Sequence, residues 1–248
     1  MQLSELEHYT RTLLETERFR DYSPNGLQIE GRSEVKSIVT GVSASLALIE
    51  AAVAARADAI LVHHGYFWKN EDPRITGVKH ARIKKLINHD ISLFGFHLPL
   101  DAHRELGNNA QLGRRLGFNV AGWLGEQELI AHGELAEPCA LATLQARIAS
   151  QLGREPLVVG DADKPIRRIA WCSGGAQGYF ESAAAIGVDA FLTGEASEQN
   201  VHFARESGVV FIAAGHHATE RYGIQALGEH LAKKFELAHQ FIEIPNPV

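Results

Sequence analysis

The stretch ADAILVHHG at residues 57–65 decides the fold of this chain. Its apolar run is too short for a helix and lies between an acidic residue and a glycine, which is typical of a buried strand. The interior of a strand that is buried on both faces of a parallel sheet is normally apolar and does not contain imidazoles. His63 and His64 therefore fall at the carboxyl end of the strand, where open α/β sheets bind their ligands.

Two later stretches, ISLFGFHLPLD at residues 91–101 and VVFIAAGHHATE at residues 209–220, repeat this arrangement. In each, an apolar run is followed by an imidazole and, four residues later, by a carboxylate: His97 and Asp101, then His216 and Glu220. If a helix begins after the glycine of the second stretch, this spacing places both side chains on one helix face, where they can bind one ion. Three strand ends thus offer imidazoles and carboxylates together.

Length and composition suit a folded α/β protein. The chain has 248 residues, 45% of them hydrophobic, enough for one large domain or two joined smaller ones. Its net charge of -6 argues against binding to nucleic acid backbones, which needs a basic face. Neither a membrane span nor a signal-peptide pattern is recognised, so we expect a cytoplasmic protein. Two cysteines are too few for a thiolate zinc site, so nitrogen and oxygen would hold any metal.

The second half of the sequence resembles the first. Residues 38–64 align without gaps on residues 169–195, which places His64 opposite Glu195. The four-residue step from imidazole to carboxylate also recurs after the following strand in both halves. We interpret the similarity as a duplicated αβ unit, with a chance match between two alanine-rich helices as the alternative.

The predicted fold class is α/β, with two intertwined, duplicated αβ units, mixed sheets, and a metal site at the carboxyl ends of strands between the repeats. The first αβ repeat covers residues 1–121 and the second covers residues 164–248. Residues 122–163 form a connecting segment, in which a helix over residues 141–152 lies between strand-like stretches. This segment carries no recognisable chemistry.

Several residues near the strand ends have two interpretations. Tyr66 and Trp68, which follow the histidine pair, either line a pocket or cover the core. Asn109 is either a substrate-binding amide or a helix cap. The glycine cluster SGGAQG at residues 173–178 follows a strand; a tight turn is favoured over a phosphate cradle, because the cluster has neither the Walker nor the GxGxxG spacing.

The remaining histidines are mostly assigned to the fold. His202 and His217 either support the site from behind or serve the structure, and the structural role is favoured. Other histidines are predicted to be solvated helix residues: His8, His80, His89, His230 and His239.

Six motifs, in order along the chain, resemble one known family. They are PNGLQ at 24–28, HH at 63–64, HLPLD at 97–101, GNN at 107–109, TGE at 193–195 and GHHATE at 215–220. Together they are similar to the GTP cyclohydrolase I type 2 homologs, also called NGG-interacting-factor-three-like dinuclear metal proteins, and most of all to the compact bacterial YbgI-type members. The resemblance spans essentially the whole chain, although the small domain that longer relatives insert between the halves is missing. It implies a duplicated, intertwined α/β fold, a two-metal centre and a toroidal homohexamer.

At matching positions, the resemblance implies five ligands for two divalent metal ions per subunit: His63, His64, Asp101, His216 and Glu220. The imidazoles favour a transition metal such as zinc, manganese, iron or nickel. Two close dications repel each other, so we expect the carboxylates to bridge them while the imidazoles complete the coordination. His97 and Glu195 are the expected catalytic residues, which shuttle protons or orient a ligand beside the metals. The expected substrate contacts are Tyr66, Trp68 and Asn109.

The expected activity is metal-dependent hydrolysis of a small molecule, a nucleotide or related heterocycle. Ring-opening of GTP is the version that the resemblance implies. A water bound to the metals would lose a proton near neutral pH and attack a polarised carbon or phosphorus. The alternative is a non-catalytic ring that binds or stores metal ions and engages a partner as an adaptor.

Overall fold

Two mixed β-sheets organise the fold, one in each of two units of the chain. The computed structural model describes residues 1–248. Unit 1 comprises Met1–Leu106 and Gly223–Pro245, and unit 2 comprises Gly107–Tyr222 and Asn246–Val248. Each unit is therefore assembled from two separate parts of the chain, as predicted for intertwined repeats. No helix combines the length and the apolar character that a membrane span requires.

Unit 1 alternates strands and helices over most of its length. Its elements are α1 (Leu3–Leu13), β1 (Gly26–Ile29), β2 (Ser37–Ser43), α2 (Leu46–Ala54), β3 (Ala59–His64), α3 (Gly77–Asn88), β4 (Ser92–Gly95) and α4 (Leu98–Ala102). Its sheet has the order β1-β4-β3-β2-β11, where β11 (Ala238–Phe241) lies near the end of the chain. All neighbours pair in parallel except β1, which runs antiparallel to β4.

Unit 2 has a six-stranded sheet with antiparallel outer strands. Its elements are α5 (Asn108–Leu116), β5 (Phe118–Leu124), β6 (Ile130–Ala140), α6 (Leu141–Leu152), β7 (Leu157–Val159), β8 (Pro165–Trp171), α7 (Phe180–Ala184), β9 (Ala190–Thr193), α8 (Glu198–Ser207) and β10 (Val210–Ala213). The sheet order is β5-β6-β8-β9-β10-β7, and only β8, β9 and β10 pair in parallel. The long helix α9 (His216–Phe235) begins in unit 2, and its residues from Gly223 onward belong to unit 1.

The strand β3 is buried on both faces, as its sequence predicted. Side chains alternate across a strand, so Ile60 and Val62 pack into one hydrophobic cluster, with helices α2 and α3. Leu61 points to the opposite face and packs into a second cluster, with α1 and α9. Burial of each such side chain stabilises the fold by roughly 1.5–3 kcal/mol.

The two sheets share one internal register, as expected from a duplicated unit. In unit 1, β2 and β3 pair with Ile38 opposite Ala59. In unit 2, β8 and β9 pair with Ile169 opposite Ala190. The gapless sequence alignment superposes these same residues on one another.

An aspartate before the second strand of each repeat makes the same contacts. Asp58 Oδ2 accepts hydrogen bonds from the backbone N–H groups of residues 36 and 37, at 2.8 and 2.9 Å. Asp189 Oδ2 accepts two from residues 167–168, at 2.9 and 2.8 Å. A carboxylate that accepts two N–H groups makes charge-assisted bonds, which are stronger than neutral ones. Both repeats therefore fix the backbone just before their parallel pairing begins in the same way.

The two units divide the chain after residues 106, 222 and 245, and the repeat boundaries at residues 121 and 163 stay a prediction. The helix predicted over residues 141–152 is present as α6, but the connecting segment is part of the sheet of unit 2. Its strand β6 pairs with β8, and β7 pairs with β10. Strand β11 also returns to pair with β2 of unit 1. Strand pairing between distant segments, which leaves no local signal in the sequence, sets these boundaries.

Candidate metal centre

Three imidazoles converge at the carboxyl ends of β3 and β4 in unit 1. His63 and His64 end β3, and His97 follows β4 by two residues. The ring centroid of His63 lies 4.5 Å from that of His64 and 5.2 Å from that of His97. One ligand nitrogen from each ring lies within 4.8 Å of the others. The parallel pairing of β3 with β4 brings their carboxyl ends side by side, as the sequence predicted.

Hydrogen bonds to Nδ1 orient two of these rings. His63 Nδ1 lies 2.8 Å from the carbonyl oxygen of Phe96, and His97 Nδ1 lies 2.6 Å from Asp21 Oδ1. A carbonyl or an ionised carboxylate only accepts hydrogen bonds, so Nδ1 is the donor in both rings and Nε2 carries the lone pair. Metal-binding histidines are usually held in this way.

Asp101 joins the histidines because α4 begins directly after His97. One turn along that helix, Asp101 Oδ1 lies 3.5 Å from His63 Nε2. The Asp101 side chain is buried, with 9% of its surface exposed. His64 completes the group, with its Nδ1 3.2 Å from Ser43 Oγ.

Asp21 supports this group from the loop before β1, and sequence reasoning missed it. Asp21 Oδ2 accepts hydrogen bonds from Leu98 N at 2.9 Å and from Asn25 Nδ2 at 2.8 Å. Asn25 Oδ1 in turn accepts one from His97 N at 2.8 Å. Burial alone would raise the pKa of Asp21, but the hydrogen bond and charge of His97, together with Asn25, lower that pKa below its ordinary value.

The two aromatic residues after the histidine pair lie in different places. The Trp68 ring centroid is 5.0 Å from that of His97 and 5.9 Å from that of His64, so Trp68 forms a wall beside the imidazoles. Tyr66 packs in the core, where its hydroxyl donates to the carbonyl oxygen of Ala44 at 2.7 Å. Burial raises the pKa of the Tyr66 hydroxyl. The structure therefore brings Trp68, and not Tyr66, to the imidazoles.

Unit 2 holds a second group at the start of α9. His216 is the first residue of that helix, and Glu220 lies one turn later with Oε2 3.1 Å from His216 Nε2. On the other side of the ring, Nδ1 lies 2.7 Å from Oε1 of Glu195, which follows β9 by two residues. Burial alone would lower the pKa of His216, but the hydrogen bonds and charges of Glu220 and Glu195 outweigh it and raise that pKa to about 9.

Gly174 makes room for the Glu220 carboxylate. Its φ of +66° lies in the left-handed region, and a β-carbon at this position would fall 2.0 Å from Glu220 Oε1. Only glycine meets both conditions without strain. Within the same turn, Gly174 N donates to Thr219 Oγ1 at 3.0 Å and Ala176 N donates to Thr193 Oγ1 at 3.2 Å. Both amides are therefore already bonded to threonine hydroxyls of α9 and β9, which fits the favoured turn and not a phosphate cradle.

Asn109 and the two uncertain histidines are not among the clustered ligand residues. Asn109 is fully buried: its Nδ2 donates to the Leu129 carbonyl at 2.9 Å and its Oδ1 accepts from Ser173 N at 2.8 Å. The amide thus anchors the start of the glycine cluster. His217 is buried near the start of α9, and His202 is exposed on α8.

The donor atoms fit a divalent transition metal. Unit 1 offers three imidazoles and a carboxylate, and unit 2 offers one imidazole and two carboxylates. Zinc, manganese, iron and nickel all accept mixed nitrogen and oxygen ligands of this kind. Buried histidine, aspartate and glutamate side chains of this chain could therefore hold a metal ion.

Known proteins resemble the chain over its full length. Residues 1–247 match the model of a family described as Duf34/NIF3 (NGG1p interacting factor 3). A Pseudomonas aeruginosa protein named GTP cyclohydrolase 1 type 2 homolog is 58% identical over 248 residues, which cover 99% of this chain and 98% of the relative. An Escherichia coli protein of the same name is 53% identical, with 100% of both chains covered.

Solved structures agree with this similarity. One, described as protein ybgI of unknown function, has a TM-score of 0.97 and 53% identity, with 100% of both chains covered. A Thermus thermophilus protein, TTHA1606, has a TM-score of 0.91 and 33% identity over the same full coverage. The fold described above is therefore one that occurs in several bacterial proteins.

Proposed function

The chain belongs to the Duf34/NIF3 family, and from this premise we propose that it is a dinuclear-metal-dependent hydrolase acting on a nucleotide or a related heterocycle. The name of its relatives, GTP cyclohydrolase 1 type 2 homolog, supports that class of substrate. The observation that carries the proposal is the group of three imidazoles beside the buried Asp101, at the carboxyl end of a parallel sheet.

We propose that two divalent ions are held by the five residues at the family's ligand positions: His63, His64, Asp101, His216 and Glu220. Within each unit, the imidazole and the carboxylate are already within reach of a shared ion, at 3.5 Å for His63 with Asp101 and at 3.1 Å for His216 with Glu220. Two close dications would need negative charge beside them, which the carboxylates of Asp101 and Glu220 would supply. The imidazoles favour a transition metal over magnesium.

When bound, the metals supply a Lewis acid and a water of lowered pKa. The side chains of this chain do the rest of the work. Trp68 is half-buried beside His64 and His97, and we propose that a planar heterocycle stacks on its indole ring. His97 Nε2 holds or moves a proton next to the metals, because Asp21 fixes Nδ1 as the donor side of the ring. Glu195 orients His216 in the same way, because Glu195 Oε1 accepts a hydrogen bond from His216 Nδ1.

Of the three substrate contacts predicted from the sequence, we retain Trp68. Tyr66 and Asn109 act from within the fold, where their polar groups bond to backbone atoms. We further propose that the subunits form the toroidal homohexamer that the family resemblance implies, and that the chain works in the cytoplasm. Its cysteines, Cys139 and Cys172, are not joined by a disulfide, which fits a reducing compartment.

Metal content and turnover test this proposal together. Protein stripped by a chelator and reloaded with zinc or manganese should contain two ions per chain and consume at least one member of a broad nucleotide panel. Asp101→Ala and Glu220→Ala should abolish both properties, while His80→Ala, on the exposed face of α3, should leave both unchanged. Light scattering should give six times the 27.2 kDa of one chain. Retention of two ions with no substrate consumed would refute the hydrolase and favour the metal-binding ring.

A further inference from the structure

His97 occupies the position of a metal ligand next to His63 and His64. The ligand nitrogens of the three rings lie within 4.8 Å of one another. Two nitrogens bound to one ion at ~2.1 Å lie at most about 4.2 Å apart. In a tetrahedral site two such nitrogens lie about 3.4 Å apart, so the three rings would need to close by up to roughly 1.4 Å to bind a common ion. His63 and His64 end β3, and His97 follows the adjacent parallel strand β4, so the sheet fixes their backbone positions.

The nitrogen that His97 offers to an ion is Nε2. Its Nδ1 donates to Asp21 Oδ1 at 2.6 Å, and the ring makes no other hydrogen bond in the structure. Asp21 has only 4% of its side chain exposed, and its second oxygen is held by Leu98 N and Asn25 Nδ2. A buried, rigidly held carboxylate on Nδ1 fixes the tautomer and strengthens Nε2 as an electron-pair donor.

The pair of Asp21 and His97 has the same design as the pair of Glu195 and His216. The distances from carboxylate oxygen to Nδ1 are 2.6 and 2.7 Å. Both histidines follow the third parallel strand of their repeat, β4 in one and β10 in the other, and each is followed four residues later by a buried carboxylate. The orienting carboxylates, however, come from unrelated segments of the chain. Each unit therefore has one histidine whose Nδ1 is held by a carboxylate and whose Nε2 is directed to the candidate metal centre.

We propose that His97 is itself a metal ligand through Nε2, which replaces the proton-transfer role given to that nitrogen above, and that Asp21 is the residue that positions it. This inference rests on the proposed metal centre and adds a sixth ligand to the five that the family resemblance implies. A third imidazole in unit 1 would shift the preference of the centre toward zinc, nickel or copper and away from magnesium or manganese, because imidazole suits the former ions better than the latter.

Zinc titration and diffraction test the proposal. Full-length protein, stripped by a chelator, is titrated with zinc and with manganese in competition with a chromophoric chelator. His97→Ala should weaken zinc binding more than 10-fold and manganese binding less, and Asp21→Asn should weaken zinc binding by about 10-fold to 100-fold. The matched control His80→Ala should stay within twofold of the unsubstituted protein. Anomalous diffraction from zinc-soaked crystals of the unsubstituted chain should place an ion ~2.1 Å from His97 Nε2.

The outcomes separate this inference from the proposed function. If zinc lies on His63 and His64 while His97 Nε2 is more than ~3 Å away, beyond coordination distance, the sixth ligand is refuted and the metal centre survives. Unchanged zinc affinity in His97→Ala would refute it in the same way and leave His97 as a proton-transfer residue. If no zinc binds to these imidazoles at all, both proposals fall. Should His97→Ala not fold, the diffraction result and Asp21→Asn still decide the question.

Discussion

Asp21 and His97 are 76 positions apart in the sequence, yet His97 Nδ1 donates a hydrogen bond to Asp21 Oδ1 at 2.6 Å. Asp21→Ala would leave the N–H groups of His97, Leu98 and Asn25 without this acceptor. Each buried donor left unpaired costs ~1–3 kcal/mol, so we expect the free energy of unfolding to fall by about 2–4 kcal/mol. Urea titration of metal-free protein measures the loss. Asp72→Ala, at an exposed aspartate, is the control and should not move the midpoint.

Gly174→Ala should damage both stability and metal binding. The new β-carbon would fall 2.0 Å from Glu220 Oε1, on a backbone with φ of +66°. We expect a loss of about 1–3 kcal/mol from backbone strain and a weaker zinc affinity from the displaced carboxylate. Gly178→Ala is the matched control in the same segment, since its β-carbon would meet no atom within 4 Å. Equal behaviour of the two variants in urea and zinc titrations would contradict the role assigned to Gly174.

Asp58 and Asp189 should both stabilise the fold through their hydrogen bonds to the backbone. Asp58→Ala and Asp189→Ala each remove two charge-assisted backbone hydrogen bonds, so each should lower the free energy of unfolding by about 2–4 kcal/mol. Asp58→Ala should be the more harmful, because Asp58 is the more buried and also binds Arg32 Nη1 at 2.8 Å. Urea unfolding of both variants tests this order. If only one of the two variants lowered the free energy of unfolding, the two aspartates would not contribute to stability in the same way.

The stability of unit 1 should depend on pH through His239. Burial lowers the pKa of His239 in the fold, with the charge of Glu229 opposing, and its Nε2 lies 2.8 Å from Thr40 Oγ1. As the pH falls, His239 binds a proton near pH 6.5 in the unfolded chain, and only at a lower pH in the folded chain. The stability that neutral His239 contributes is therefore fully present above about pH 6.5. It is lost as the pH falls from that value toward the lower pKa that His239 has in the folded state.

The variant His239→Gln should lose part of this acid sensitivity. Urea midpoints measured between pH 8 and pH 5 should fall less steeply in His239→Gln than in the unsubstituted protein. Gln240→Ala, at the next, exposed position of β11, should keep the original pH dependence. Parallel pH curves for all three proteins would show that His239 does not contribute.

Trp68 should matter for substrate and not for metal. Stacking of a base on an aromatic ring is worth roughly 1–3 kcal/mol, so Trp68→Leu should raise the KM for a nucleotide substrate about 10-fold. Zinc affinity should remain within twofold, because Trp68 contributes no metal ligand. Trp123→Leu, a tryptophan on β5 of unit 2, is the control. A large loss of zinc affinity in Trp68→Leu would instead assign Trp68 to the support of the imidazoles.

The sequence predicted best what is local or periodic. The run before His63 predicted β3, and the apolar pattern of residues 141–152 predicted α6. The four-residue step from His216 predicted the contact with Glu220, because a helix does begin at His216. The duplication could also be predicted, since the register of both parallel strand pairs is carried by the gapless alignment.

What the sequence did not predict depends on contacts between distant segments. The contact of Asp21 with His97 has no local pattern, because the loop that carries Asp21 is placed by the pairing of β1 with β4. Two histidines predicted as solvated helix residues have specific partners instead. His230 Nε2 lies 2.7 Å from the Tyr9 hydroxyl, and His239 belongs to β11, a four-residue strand too short for alternation to be recognised.

The shared register of the two repeats also has a historical consequence. A single ancestral copy of the unit, associating with itself, would have presented identical side chains twice. Two fused copies would be free to diverge, and the two units do differ in this way: Asp58 and Asp189 make the same contacts, while unit 1 offers mainly nitrogen donors and unit 2 mainly oxygen donors. Asymmetric chemistry of this kind is open to a fused protein and closed to a symmetric pair of identical chains.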